Sequence, residues 1–150
     1  MQRVKFQSKD GDLFYKSLRK RVNQYFKEND IKRTGNWAMY LKSVVLFTMF
    51  FAPYAAFYIL PEQPFYIYII LWSIIGIATA GIGFSVMHDA VHGSYSKKKG
   101  LNDYLGHFSM LLIGGTVANW KIQHNVLHHT YTNVDGLDDD IKPPVPFLRF

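Results

Sequence analysis

Apolar positions along this chain are gathered rather than scattered. From Ala38 to Met87 nearly every residue is apolar or aromatic, whereas Met1–Asn36 is polar and basic. The stretch AMYLKSVVLFTMFFAPYAAFYIL (Ala38–Leu60) runs for about 23 residues, the length of an α-helix that crosses a hydrocarbon core of roughly 30 Å. Lys42 lies one turn inside its start, where the amine can reach back to lipid headgroups. Pro53 predicts a kink, which a membrane span tolerates. PEQP (Pro61–Pro64) is too short for anything but a tight turn, and FYIYIILWSIIGIATAGIGFSVM (Phe65–Met87) predicts a second span. Two spans so joined make an antiparallel hairpin, and Gly76, Gly81 and Gly83 predict close helix packing along it. The fold class is therefore all-α: an integral membrane hairpin with cytosolic or interfacial helices around it.

The flanks carry weaker patterns. Phe14, Leu18, Val22 and Tyr25 recur at helical spacing, with Lys16, Arg19, Lys20 and Lys27 elsewhere around the wheel and Asp12 placed to cap the start. That pattern fits an interfacial helix on anionic headgroups and an amphipathic helix packed on the rest of the protein equally well. LGHFSMLLIGGTVA (Leu105–Ala118), at about 14 residues, is too short to span and predicts a buried or interfacial segment broken at Gly114-Gly115. Two regions follow: a basic segment, 1–36, and a membrane domain, 37–150, with spans at 38–60 and 65–87.

The formal charge of +6 belongs to particular places. Met1–Asn36 holds more than half of the 17 Lys and Arg, and Lys97-Lys98-Lys99 form a second cluster. Basic blocks that flank apolar spans point to anionic lipid rather than nucleic acid. The inter-span turn holds only Glu62, so both ends of the hairpin are expected to face the cytoplasm. The first apolar run is too long and too late for a cleavable signal peptide. Cysteine is absent, which excludes disulfides, thiolate zinc sites and iron–sulfur clusters.

Five of the six histidines fall in two short stretches, HDAVH (His88–His92) and HNVLHH (His124–His129), both on the expected cytoplasmic side. Residues i and i+4 of a helix share one face, so His88/His92 and His124/His128 can each direct two imidazoles at one metal. His129 lies about 100° around the helix from His128 and is expected to reach a different metal, or the same one from another side. One such pair is commonplace, usually no more than solvated or packed histidines. A second pair with an adjacent third histidine at a membrane edge marks a metal site, since ionisable groups there are functional by default. Imidazole suits iron, copper, nickel and zinc. Neither stretch contains Glu, which excludes the zinc-protease arrangement. The only glutamates, Glu28 and Glu62, cannot supply the carboxylates of soluble di-iron bundles. A polynuclear site here must be almost wholly imidazole, which narrows the field to membrane oxygen-activating enzymes.

HDAVH and HNVLHH, in that order after a membrane hairpin, resemble the first two histidine boxes of the membrane fatty acid desaturases. The surrounding LNDYLGH, WKIQHN and TNVDGLDDD strengthen the likeness over roughly Asn36–Lys142, most closely to the acyl-CoA and acyl-lipid desaturases that include the linoleoyl-CoA type. The resemblance implies that His88, His92, His124, His128 and His129 bind two iron ions. It implies that the di-iron unit uses dioxygen to introduce a cis double bond into a long-chain acyl group carried on coenzyme A or a lipid. Unactivated C–H bonds resist acid–base chemistry, so a metal must carry that oxidation. It further implies a b-type haem cytochrome or a ferredoxin as electron donor, which the basic face would attract. The family also has a third box, QxxHH or HxxHH, and a second hairpin, and nothing after His129 supplies them. These 150 residues are therefore expected to be the N-terminal part of a longer enzyme, unable alone to hold two irons stably or to turn over. The rival readings are a related histidine-box hydroxylase or ketolase, a non-catalytic membrane metal-binding or transport protein, and an inactive membrane module.

Neighbouring residues carry further expectations. Asp89, Asn125 and His107 are candidates to stand behind the ligands. For Asp89 and Asn125 a solvated polar role competes evenly, and His107 reads as a hydrogen-bonded core histidine ahead of a sixth ligand. Asp138-Asp139-Asp140 reads as a solvated acidic turn ahead of an outer partner of the metal. Trp72 and Trp120 read as packing or interface aromatics ahead of tunnel walls.

Overall fold

The computed structural model describes residues 11–141, without the side chains of Gly11 and Asp139. The chain forms two compact units, Met1–Arg33 and Thr34–Phe150. In the first, α1 (Gly11–Glu28) covers the predicted amphipathic stretch. The chain turns after it through Asp30 at φ +48°, and Arg33 lies over the Phe26 ring at 5.2 Å and donates to the Asn23 side chain.

The second unit is all-α and is built on the expected hairpin. Helix α2 (Trp37–Ile59) starts where the Asn36 side chain accepts the Met39 N–H at 3.1 Å, and it runs on through Pro53. Its partner, α3 (Phe65–Gly81), passes without a break into a wide π-helical segment, Ile82–Met87, and then into α4 (His88–Val91). The continuous rod Phe65–Val91 is 27 residues long, and both it and α2 are long and apolar enough to cross a membrane. The sequence pattern predicts an end at Met87 because polarity begins there. The backbone ladder continues one turn further, so the first histidine box rides on the end of the rod.

Phe50 of α2 packs on Ile75, Ala78 and Ile82 of the second rod, with Leu46, Phe57 and Leu112 around them. Trp72 meets Tyr54 and Phe57 edge-on and tilted, as a packing aromatic should. Of the three glycines expected at the helix contact, only Gly81 serves it: a Cβ there would stand 2.5 Å from Leu46 Cδ2. Gly76 faces open space and Gly83 faces Ile113. Gly81→Leu is accordingly expected to cost about 1–3 kcal/mol by overpacking. Gly76→Ala should be neutral, and thermal midpoints in lipid nanodiscs check both.

Helix α5 (Lys99–Leu112) starts earlier than the apolar run suggests, and it packs on α4 where Gly106 leaves room for Val91. The break falls where expected, with Gly114 at φ +79°. There follow α6 (Val117–Trp120), a second π-helical segment (Lys121–His128), the single turn α7 (His129–Tyr131) and a 3-10 turn (Asp139–Ile141). The loop after the first box is pinned from three sides. The Asp89 carbonyl accepts the N–H groups of Ser94 and Tyr95, Asn102 bridges both backbone groups of Ser96 at 2.8 Å, and Tyr95 Oη donates to Ser43 Oγ at 2.8 Å. Buried polar groups so satisfied fix α4 against α5 and α2.

Candidate metal centre

The two boxes meet. One donor atom from each of His88, His92 and His124 lies within 4.8 Å of the other two, and the same holds for His124, His128 and Asp140. Ring centroids separate by 4.5 Å for His88–His92, 5.3 Å for His88–His124 and 5.4 Å for His92–His124.

His129 joins this cluster, its ring centroid 4.9 Å from that of His124 and 5.1 Å from that of His92. Of its two expected placements, approach to the same site from another side is the one this geometry fits, and the reason is the wide turn. The His129 N–H bonds to the His124 carbonyl, an i→i+5 link that brings residue 129 back over residue 124. On an α-helix five residues carry the chain about 140° past its start. The same device precedes the first box, where the His88 N–H reaches the Gly83 carbonyl.

Carboxylates stand behind three of the imidazoles. His128 Nδ1 donates to both oxygens of Asp138 at 3.0 Å, His124 Nδ1 to Asp140 at 2.6 Å, and His88 Nδ1 approaches Asp89 at 3.2 Å. A carboxylate on Nδ1 fixes the tautomer and leaves Nε2 as the donor toward a metal. The expectation of a solvated acidic turn fails at Asp138, which is 0% exposed. Asp138 also accepts the N–H groups of Asn133 and Asp140, and Asn133 takes a left-handed φ of +63° in the turn between. Burial alone would raise the Asp138 pKa. The hydrogen bonds from Asn133, His128 and Asp140, with the charge of His128, outweigh that effect and hold it below its ordinary 3.8. Nothing in the spacing of DGLDDD marks this role, because the turn folds back over a separation of 10 residues to His128 and 16 to His124.

Asp89 is where a partner of His88 should be. Asn125 is not: its Oδ1 is buried without a hydrogen-bond partner. His107 is hydrogen-bonded, as expected, but it is exposed and not a core residue, and it donates from Nδ1 to the Asp103 carbonyl at 2.8 Å. The imidazole of His92 has its pKa lowered, first by burial and then by the neighbouring His88, His124 and His129, with Asp89 opposing in part. That favours the neutral ring, the form that binds a metal.

Trp120, expected to be packing or interface, stacks on His124 at 4.4 Å and meets His88 and His92 edge-on. It also walls a cavity of about 560 Å³ bounded by Thr79, Ala80, Gly83, Phe84 and Met87 of the second rod and by Met110 and Ile113. His88, His124 and Asp140 close one side of it. A largely apolar space thus abuts the imidazoles.

The residues fit a metal of the iron class. His124 Nε2 is buried with no hydrogen-bond partner, an arrangement that costs about 1–3 kcal/mol unless something occupies its lone pair. The donors are imidazoles, three of them backed by carboxylates, a set suited to a first-row transition metal.

Comparison with known proteins agrees. The family model described as fatty acid desaturase matches residues 64–150. The chain is 35% identical over 147 residues to an acyl-lipid (8-3)-desaturase of Physcomitrium patens, covering 97% of this chain and 30% of that protein. It is 35% identical over 105 residues to an sn-1 linoleoyl-lipid 6-desaturase of Synechocystis, covering 70% and 28%. An sn-1 oleoyl-lipid 12-desaturase of Anabaena variabilis is 30% identical over 123 residues, covering 81% and 32%. The chain spans about three-tenths of the length of these curated relatives. No solved structure matches. With two histidine boxes converging at the end of an apolar hairpin and the family pattern matched over more than half its length, this chain belongs to the fatty acid desaturase family.

Proposed function

We propose that this chain supplies part of the catalytic centre of a membrane enzyme that introduces a cis double bond into a long-chain acyl group. The observation that carries the reading is the convergence of His88, His92 and His124 beside an apolar cavity, with His124 Nε2 buried and unpaired. His88, His92, His124, His128 and His129 would hold iron, two ions in the complete site, with the remaining donors from a third box that these residues do not contain. Iron bound there supplies the oxidation that an unactivated methylene requires. The protein groups do the rest. Asp89, Asp140 and Asp138 hold His88, His124 and His128 with Nε2 toward the metal, and burial keeps His92 neutral. The largely apolar cavity beside α3 and the π-helical segment, with Trp120 among its lining residues, would take part of an acyl chain next to the imidazoles.

The two apolar rods would lie across the bilayer with the boxes on the cytoplasmic side, as the flanking lysines and arginines favour. The named relatives favour an acyl-lipid over an acyl-CoA substrate. A small acidic electron donor, a b-type haem cytochrome or a ferredoxin, would approach the basic cluster at Lys97–Lys99. The test is expression from the full reading frame in yeast supplied with linoleate, with fatty acid methyl esters analysed by mass spectrometry. A new cis alkene is expected. A hydroxy acid, or an unchanged profile from correctly inserted protein, overturns the reading.

A further inference from the structure

Helix α1 stands apart from the metal chemistry and has a surface that nothing above uses. Its 18 residues make a rod about 27 Å long. At about 100° per residue, Phe14, Tyr15, Leu18, Val22, Tyr25 and Phe26 fall within an arc of about 120°. Five of these six are 43% to 69% exposed, while Arg33 lies over the ring of the sixth, Phe26. Arg19 borders the arc on one side and Arg21 on the other, while Lys16, Lys20 and Lys27 occupy the opposite face. Only Leu13 breaks the pattern from the polar side.

We infer that α1 lies flat on an anionic membrane surface, with Leu18, Val22 and Tyr25 at the level of the upper acyl carbons and Arg19 and Arg21 on the lipid phosphates. Two features of the chain select lipid over a protein partner. The first is charge: the arc is bordered on both sides by arginine, whose long stem can lie along apolar groups while its head reaches an anion. The second is the tether. Only Asn29–Asn36 separate α1 from α2, a reach of at most about 29 Å. If α2 spans the bilayer, α1 is never far from the headgroups, and weak intrinsic affinity suffices because its local concentration at the surface is high. The inference rests on the reading of α2 and the second rod as membrane spans, but not on the metal site.

Residues 1–150 hold no cysteine, and any cysteine elsewhere in the full-length protein is replaced by serine for the test. Single cysteines at Leu18, Val22 and Tyr25, and at Lys16, Asn23 and Lys27, carry a nitroxide in the full chain reconstituted into nanodiscs of phosphatidylcholine with or without phosphatidylglycerol. An Ile70→Cys label on the second rod reports separately whether that rod is in lipid. The expected result is a ratio of oxygen to nickel-chelate collisions several-fold higher at 18, 22 and 25 than at 16, 23 and 27. That contrast should shrink without the anionic lipid, or in an Arg19→Glu/Arg21→Glu background. Equal nickel access at all six positions overturns the inference, as does shielding of 18, 22 and 25 from both reagents, the mark of packing on protein. Spin–spin broadening at those positions would assign the face to a second copy and overturn it too. If the Ile70 label is itself open to nickel, the membrane reading fails first, and the inference with it.

Discussion

Replacing His124 with alanine is expected to abolish product formation and iron retention while leaving the protein inserted. His124 belongs to both groups of converging donors, and its ring is within 5.4 Å, centroid to centroid, of His88, His92, His128 and His129. No other side chain touches so many of the candidate ligands. Its Nε2 is buried and unpaired, so the fold already bears the desolvation of this atom and recovers it by binding something there. Alanine removes the donor and the platform on which Trp120 stacks. His107→Ala is the control: exposed and bonded to its own helix, it should leave iron content and product unchanged. Metal analysis of the purified full-length protein, with lipid profiles from the expressing cells, reads both. A His124→Ala protein that keeps its iron would remove the metal assignment.

The second large effect is expected at Asp138. Outer partners of ligating histidines typically contribute about 10–100-fold in metal affinity, and Asp138→Ala should fall in that range by chelator competition. It should also lower the thermal midpoint of metal-free protein, because the N–H groups of Asn133 and Asp140 lose their acceptor. Asp138→Asn keeps an oxygen for those N–H groups but not the charge opposite His128. It should restore most of the stability and little of the affinity. A purely structural role would move the two measurements together. The pH dependence follows from sign: the folded pKa lies below the ordinary value. The stabilising contribution is therefore complete above about pH 5 and is lost only as pH falls through the folded value, below about 4.

Periodicity and length disclosed the hairpin because a run of apolar residues of membrane length has few other uses. The histidines were legible for the opposite reason: imidazoles at a hydrophobic edge have little packing value, so their number alone marks chemistry. What could not be read were features that depend on the third dimension. Gly76, Gly81 and Gly83 are alike as letters, and only the path of Leu46 decides that Gly81 is the contact. Asp138 sits in a string of aspartates typical of a solvated turn, and a backbone reversal at Asn133 carries it under His128. Which of its two expected directions His129 takes was open on a wheel of 3.6 residues per turn, and the wider i→i+5 path of the backbone decides it.

That wider winding separates two properties usually thought of together. A helix with an extra residue per turn can discard one and close into ordinary α-geometry without losing its direction, its caps or its place beside its neighbours. Rewinding of 82–87 or 121–128 into ordinary α-geometry with no residue lost would swing the histidines beyond the turn by about 100°. Loss of one residue would instead let the turn close and keep them near their present direction. The direction in which the imidazoles face thus depends on how the backbone is wound and not only on which residues the sequence holds.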